Sequence, residues 1–505
     1  MSKSNLIQSY LQQAFLSFPD KTALVNGQER VSYRELYCRS ERICQWLLQK
    51  ELKIGDRVGL LTDKACEYIA AYFGILNAGG IVVGLNTQTS NHALHSVLED
   101  SGISIVLSHK KFLKHGPVVK EAPSVRLFET NIPALWENDT ETEFYPHPQL
   151  NTEDICQIIY TSGTTGTPKG IMLRHRNLLA NTQSIIKYLE LTDQDKVMAV
   201  LPFFYSYGNS VMLTHIGVGA TLIVNQSFTY PNVILDQMAA EEATGFSGVP
   251  SSFAILLHRS AVRERNFPKL RYLTQAGAPM SPTLATDLSS VFKGTKIFIM
   301  YGQTEASSRL SYLDPERFKD KAGSIGKAIP GVKLAVCRPD GSVTEPGELG
   351  EIVATGENVM AGYWQNPEET AQILKNGRLW TGDLARVDND GFIFIESRKS
   401  DMIKSGSHRI GPKEIEETIL QLPSTYEVAV IGWPDEILGE KIVAFVVLNA
   451  GYDVSQKEII RHCRRNLPAF KVPHRITFTS DLPKTISGKI QKIELKNECA
   501  SKHFI

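Results

Sequence analysis

Through most of the first 395 residues, short apolar runs alternate with stretches of helical period, and this rhythm restricts the possible folds more than any other feature. Residues 57–61 predict a strand, 65–76 a helix, 80–85 a strand, 90–98 a helix and 103–108 a strand. The same order returns as strand 220–225, helix 231–242, strand 244–249 and helix 251–259. Strand–helix–strand repeats of this kind build parallel sheets covered by helices on both faces. Residues 314–320 are charged and read as a surface excursion. After Glu396 the pattern changes to a helix over 410–420, strands over 427–432 and 441–448, and a helix over 455–466. Roughly 100 residues with their own alternation make a small domain. The expected fold is α/β, with a large N-terminal domain of helix-flanked sheets and a small α+β C-terminal domain. The boundary falls near Ser400, inside the polar run Ser397-Arg398-Lys399-Ser400-Asp401.

Composition removes several classes of function. With 54 basic and 54 acidic residues the charges cancel, so broad electrostatic capture of nucleic acid is not expected and selectivity must be local. Seven cysteines stand scattered without a Cys-x-x-Cys pair, which suits a reducing compartment. Residues 6–16 are amphipathic and lack the apolar block of a signal peptide. No apolar run approaches the roughly 20 residues needed to cross a bilayer. These features predict a soluble cytoplasmic protein without membrane insertion.

One stretch points to chemistry: Thr161-Ser162-Gly163-Thr164-Thr165-Gly166-Thr167-Pro168-Lys169-Gly170. Glycines let a backbone turn tightly and bring its N–H groups close to a ligand. Successive N–H groups and hydroxyls make a concave donor surface suited to phosphate oxygens. The run at 155–160 reads as a buried strand, so the loop leaves a strand end, where α/β proteins bind ligands. It differs from the usual P-loop, because Lys169 follows Pro168 instead of closing a Gly-Lys-Ser/Thr ending. A polar linker between two core strands is the plainer alternative, which the threonine density argues against.

This stretch resembles the signature loop of the AMP-forming acyl-adenylating enzymes: acyl-CoA synthetases, peptide-synthetase adenylation domains and beetle luciferases. The resemblance recurs in order along nearly the whole chain. It includes Ser32-Tyr33-Arg34-Glu35-Leu36, Leu76-Asn77-Ala78-Gly79-Gly80, Tyr301-Gly302-Gln303-Thr304-Glu305, Gly362-Tyr363-Trp364 and Trp380-Thr381-Gly382-Asp383-Leu384. Arg398 with Asp401-Met402-Ile403-Lys404 resembles the family's domain hinge, and Pro483-Lys484-Thr485-Ile486-Ser487-Gly488-Lys489 its closing lysine loop. The resemblance implies a large domain at 1–398, which binds ATP and the acid, and a mobile small domain at 400–505, which carries the catalytic lysine.

It also implies roles. Thr161, Ser162, Gly163, Thr164, Thr165, Gly166, Thr167 and Lys169 would hold the outgoing phosphates. Tyr301, Gly302, Gln303, Gly277, Ala278 and Pro279 would form the adenine side, with Asp383 and Arg398 on the ribose. Thr304 would donate to the α-phosphate, and Glu305 would hold Mg²⁺, a hard cation that prefers carboxylate and phosphate oxygens. Lys489 would offset the repulsion between substrate carboxylate and α-phosphate, and Ser400 would occupy the hinge position. Taken alone, Tyr301 reads as a core tyrosine, Glu305 as a helix-start glutamate and Lys489 as a surface lysine.

The acyl pocket is expected to be walled by Tyr205, Ser206, Tyr207, Ser247, Gly248, Val249, Ala276, Met300 and Ser307. A wholly core role for Tyr205 and Tyr207 is equally open. Ser206 stands where amino-acid-activating relatives commonly carry Asp, and a serine cannot offset a buried ammonium as a carboxylate does. The leading reading is a ligase that makes acyl-AMP from a carboxylic acid and ATP, then transfers the acyl group to CoA or to the phosphopantetheine of a separate carrier protein. A standalone enzyme that activates an amino acid, such as proline, is the alternative. A non-catalytic nucleotide sensor and a luciferase-type oxygenase are weaker branches.

Overall fold

The computed structural model describes residues 6–137, 145–162, 168–406, 408–484 and 490–501. Lys489 and residues 163–167 lie outside them, as do the expectations that fall on those positions.

The alternation in the sequence builds two large sheets. In the nine-stranded one, Lys296–Tyr301, Tyr272–Gln275, Gly245–Gly248, Lys196–Ala199, Thr221–Val224 and Thr22–Asn26 lie side by side and parallel. The seven-stranded sheet has parallel strands Ile155–Ser162, Ile81–Gly84, Arg57–Leu61, Ile105–Ser108 and Leu127–Glu129. Helix Ala65–Asn77 is buried along almost its whole length, as its nearly unbroken apolar sequence requires. It packs on helix Tyr33–Gln49 so closely that a Cβ on Gly74 would stand 2.7 Å from the Ser40 carbonyl oxygen. The early motif at residues 32–36 has a structural cause. Ser32 and Glu35 form a reciprocal capping box at the start of Tyr33–Gln49, which satisfies two otherwise orphaned backbone donors.

The structure adds to or shifts the expected pattern in three places. The strand expected at 155–160 is present as Ile155–Ser162, and it has a partner that the sequence did not announce. Strand Ile155–Ser162 pairs antiparallel with Pro168–Arg174, which aligns Thr161 with Lys169 and Ser162 with Pro168. Residues 161–162 and 168–170 therefore lie on two arms of one antiparallel pair. A third, five-stranded antiparallel sheet lies between the α/β units and the C-terminal region, formed by Val332–Cys337, Gly350–Gly356, Arg378–Val387, Leu374–Lys375 and Ile393–Arg398. Its hairpins turn at Gly377 and Gly391, both at left-handed φ that glycine tolerates without strain. The helix expected from 410 starts instead at Pro412, because residues His408–Ile410 form a strand. Proline at the first helical turn is well placed, since it lacks only an N–H that would go unpaired there.

The C-terminal region has its own sheet, with Thr425–Asp435, Gly439–Leu448, Ile403–Ser405, His408–Ile410 and Arg475–Phe478, covered by Pro412–Leu420 and Gln456–Asn466. Ile415, Ile419, Val430, Ile442, Ile459 and Ile476 form a core separate from those of the preceding sheets. Ser400 lies in a short 3₁₀ turn, Lys399–Asp401, between the last strand of the third sheet and the first of the fourth. No helix among the described residues is long and apolar enough to cross a membrane.

Candidate active site

Four neighbouring parallel strands of the nine-stranded sheet end on one edge, the usual place for a ligand in an open α/β sheet. Lys196–Ala199 leads to Tyr205 and Ser206, Gly245–Gly248 to Val249, Tyr272–Gln275 to Ala276 and Gly277, and Lys296–Tyr301 to Gly302. Register places Ser247 beside Thr274, and Gly248 beside Gln275. Residues far apart in sequence thus share one rim.

At one end of this rim stands Asp383. Its carboxylate is buried and accepts from the Tyr301 hydroxyl at 2.6 Å, while the Arg398 Nε lies 3.0 Å from the other oxygen. The register of the third sheet pairs Asp383 directly with Arg398. Burial, and then the neighbouring Asp383 charge, push the Tyr301 phenol well above its ordinary range, so it stays a donor. The same carboxylate raises the already high Arg398. Gly302 has a packing reason as well: a Cβ there would lie 2.0 Å from the Ser308 carbonyl oxygen. Gly277 sits at φ +94°, where glycine is needed. Behind it, Gln275 donates to the Ala278 carbonyl at 2.7 Å, fixing the turn into Pro279.

Toward the hairpin the contacts are of another kind. Lys169 forms an ion pair with Glu369 and stands 5.7 Å from the centre of the Tyr363 ring. The Tyr363 hydroxyl donates to Glu305 Oε1 at 2.9 Å. Burial and the Glu305 charge push that phenol up, so it remains protonated. Strand Gly362–Tyr363 pairs with Ile171 and Met172, tying the hairpin to the Glu305 turn. Gly170 is glycine because a Cβ would press on Ile158, Tyr160 and Trp364 at 3.0–3.1 Å. Glu305 offers one hard carboxylate, and no cluster of three metal-ligating side chains exists among the described residues. That donor set fits Mg²⁺, which is held by one or two carboxylates together with substrate phosphates.

Between the two ends lie the positions expected to wall an acyl pocket. Thr304 donates its hydroxyl to the Ser206 Oγ at 3.2 Å, at the first turn of helix Ser206–Gly217. The Tyr207 hydroxyl lies 2.9 Å from both oxygens of Thr274, whose own hydroxyl donates to Ser247. Tyr207, Val249, Ala276 and Met300 are buried. Tyr205 is half-buried against Phe204 at 4.5 Å between ring centres, and burial pushes its phenol up to about 12. Ser307 turns away from this group, since its hydroxyl donates to the Asn358 carbonyl at 2.7 Å. Sequence reading passed over four residues that the fold brings here: Tyr363, Glu369, Asn358 and Arg309. Tyr363 had a signal in its Gly-Tyr-Trp motif; the others had none.

Comparison with known proteins agrees with this geometry. Residues 11–364 match the family described as AMP-binding enzyme, and residues 414–489 match the AMP-binding enzyme C-terminal domain. A long-chain-fatty-acid–CoA ligase of Bacillus subtilis (strain 168) is 30% identical over 537 residues, covering 99% of this chain and 95% of its own. A feruloyl-CoA synthase of Amycolatopsis sp is 33% identical over 479 residues, covering 95% and 96%. The solved structure of the o-succinylbenzoate coenzyme A synthetase MenE from Bacillus subtilis, in complex with ATP and magnesium ion, superposes with a TM-score of 0.87. It is 30% identical and covers 96% of this chain and 99% of that one. The chain therefore belongs to the AMP-binding enzyme family, as an AMP-forming acid–thiol ligase.

Proposed function

We propose that this enzyme activates a carboxylic acid without an α-ammonium group, forming an acyl-AMP and then an acyl-CoA. The observation that carries the substrate reading is the Thr304–Ser206 hydroxyl pair beside buried apolar walls, where no carboxylate contacts Ser206 among the described residues. An ammonium group placed there would lose hydration without gaining a charged partner, which costs several kcal/mol in a buried site. The relatives fit this reading, since their names specify a fatty acid, ferulate and succinylbenzoate.

In the first half-reaction a substrate carboxylate oxygen attacks the α-phosphorus, and the bond to the β-phosphate oxygen breaks to release pyrophosphate. Tyr301, Gly302, Gln303 and the turn Gly277-Ala278-Pro279 receive adenine. Asp383 and Arg398 receive the ribose hydroxyls. Thr161, Ser162, Lys169 and residues 163–167 receive the leaving phosphates, and Thr304 donates to the α-phosphate. Glu305 holds Mg²⁺, which when bound neutralises charge developing on the phosphate oxygens. Lys489 comes in from the small domain, 400–505, and relieves the repulsion between the two reacting anions. Rotation about Ser400 then exchanges that lysine for the thiolation surface. In the second half-reaction the CoA sulfur attacks the acyl carbon, the carbon–oxygen bond to AMP breaks and the thiol proton is released.

The test is ATP–pyrophosphate exchange over a panel of acids with and without α-amino groups. Acids lacking the amino group should exceed their α-amino analogues at least tenfold, about 1.4 kcal/mol. A free amino acid as the best substrate would overturn the substrate reading.

A further inference from the structure

Arg309 is a buried cation with no anionic partner among the described residues. The residue is 3% exposed, and none of its contacts among the described residues is a carboxylate. Nε points to the Met300 sulfur at 3.3 Å, a weak acceptor, Nη1 reaches the carbonyl and hydroxyl oxygens of its neighbour Ser308, and the guanidinium also meets the Tyr188 hydroxyl. The guanidinium lies 4.0 Å from the centre of the Tyr207 ring. Tyr188 and Tyr207, the phenols beside it, are both pushed upward by burial and so stay neutral. Guanidinium has five donors in a planar fork, and a site that keeps it dry ordinarily pairs it with a carboxylate.

The residue is also held firmly in place. Its backbone carbonyl accepts from Asn181 at 3.0 Å and from Asn358 at 2.9 Å. The preceding turn runs through Ser307 at φ +57° and Ser308 at φ +117°, a conformation that side-chain-bearing residues avoid. Two of its contacts, Met300 and Tyr207, are acyl-pocket positions. A desolvated, clamped cation among neutral groups at that wall is half of an ion pair.

Resting on the assignment of this wall to the acyl group, we infer that the activated acid carries a second carboxylate and that Arg309 receives it. One carboxylate of such a diacid meets the α-phosphate beside Thr304, and the other is taken by the guanidinium fork. Arg309 is then a specificity-determining residue, and a neutral group of equal size would leave it unpaired.

The experiment compares diacids with their own monomethyl esters. Succinate, glutarate, adipate and phthalate would each be run against the ester in ATP–pyrophosphate exchange, with plain monoacids and α-amino acids in the same panel. At the preferred length, wild-type kcat/KM should favour the diacid at least tenfold. Arg309→Met should bring that ratio close to one while leaving ATP affinity by calorimetry unchanged. Arg309→Lys should keep an intermediate ratio, because it restores charge without the fork. If Arg309→Met does not fold, the wild-type and Arg309→Lys ratios decide. A monoester or plain monoacid that equals every diacid would overturn this inference alone, as would an unchanged ratio in Arg309→Met. An α-amino acid that wins the panel would overturn the substrate reading and this inference together.

Discussion

The two ends of the site are prepared in different ways. At the Asp383 end, sheet register sets a carboxylate opposite Arg398 and beneath the Tyr301 hydroxyl, so the buried charge is balanced before any nucleotide arrives. At the hairpin end, Lys169 is engaged with Glu369, and Glu305 with Tyr363. The proposed ligands of those groups are phosphate and Mg²⁺, so their present partners must give way. The first end is preorganised, in the sense that binding requires no reshuffling of charge. The second holds its charges in reserve, in side-chain pairs that are only part-buried and correspondingly weak.

The sharpest way to break this contrast is at Lys489, which the proposed mechanism brings in from the small domain. Lys489→Ala should reduce acyl-AMP formation by about 3 kcal/mol or more, roughly a hundredfold or greater, as expected for loss of a transition-state charge stabiliser. Thiolation of supplied acyl-AMP should persist; wild-type exchange rates would remove the lysine from the mechanism. Next comes the preorganised end. Asp383→Ala leaves Arg398 and the Tyr301 hydroxyl without their acceptor, and should weaken ATP binding by roughly 2–3 kcal/mol. Unchanged affinity by calorimetry would show that the pair serves only the sheet.

At the other end, Glu305→Gln should act mainly through the metal. The expected outcome is a roughly tenfold higher Mg²⁺ concentration for half-maximal exchange, about 1.4 kcal/mol, with kcat at saturating metal much less affected. A fall in kcat with no change in metal requirement would assign Glu305 a different role. The smallest effect is expected at Glu369→Gln, which releases Lys169. Because the pair is part-buried, its loss should shift the ATP KM by less than about 1 kcal/mol, toward tighter binding. Weaker binding would mean that Glu369 positions the lysine instead of restraining it.

The sequence alone determined the α/β character of the large region, because strand and helix periods are local and survive in the order of residues. It also determined the family and the positions of the chemical motifs, since Tyr301-Gly302-Gln303-Thr304-Glu305 and Trp380-Thr381-Gly382-Asp383 are contiguous words. It missed the antiparallel third sheet, whose pairing rests on hairpins and long-range register more than on helix–strand alternation. It placed residues 161–170 at a strand end but gave no sign of the partner strand Pro168–Arg174, because pairing is not visible in local pattern. Only the tertiary structure decided which charges meet. Asp383 faces Arg398 through register, Lys169 meets Glu369 two hundred positions away, and Arg309 meets no acid among the described residues. Whether a charge is paired depends on distance and burial, and neither is a property of the residue order.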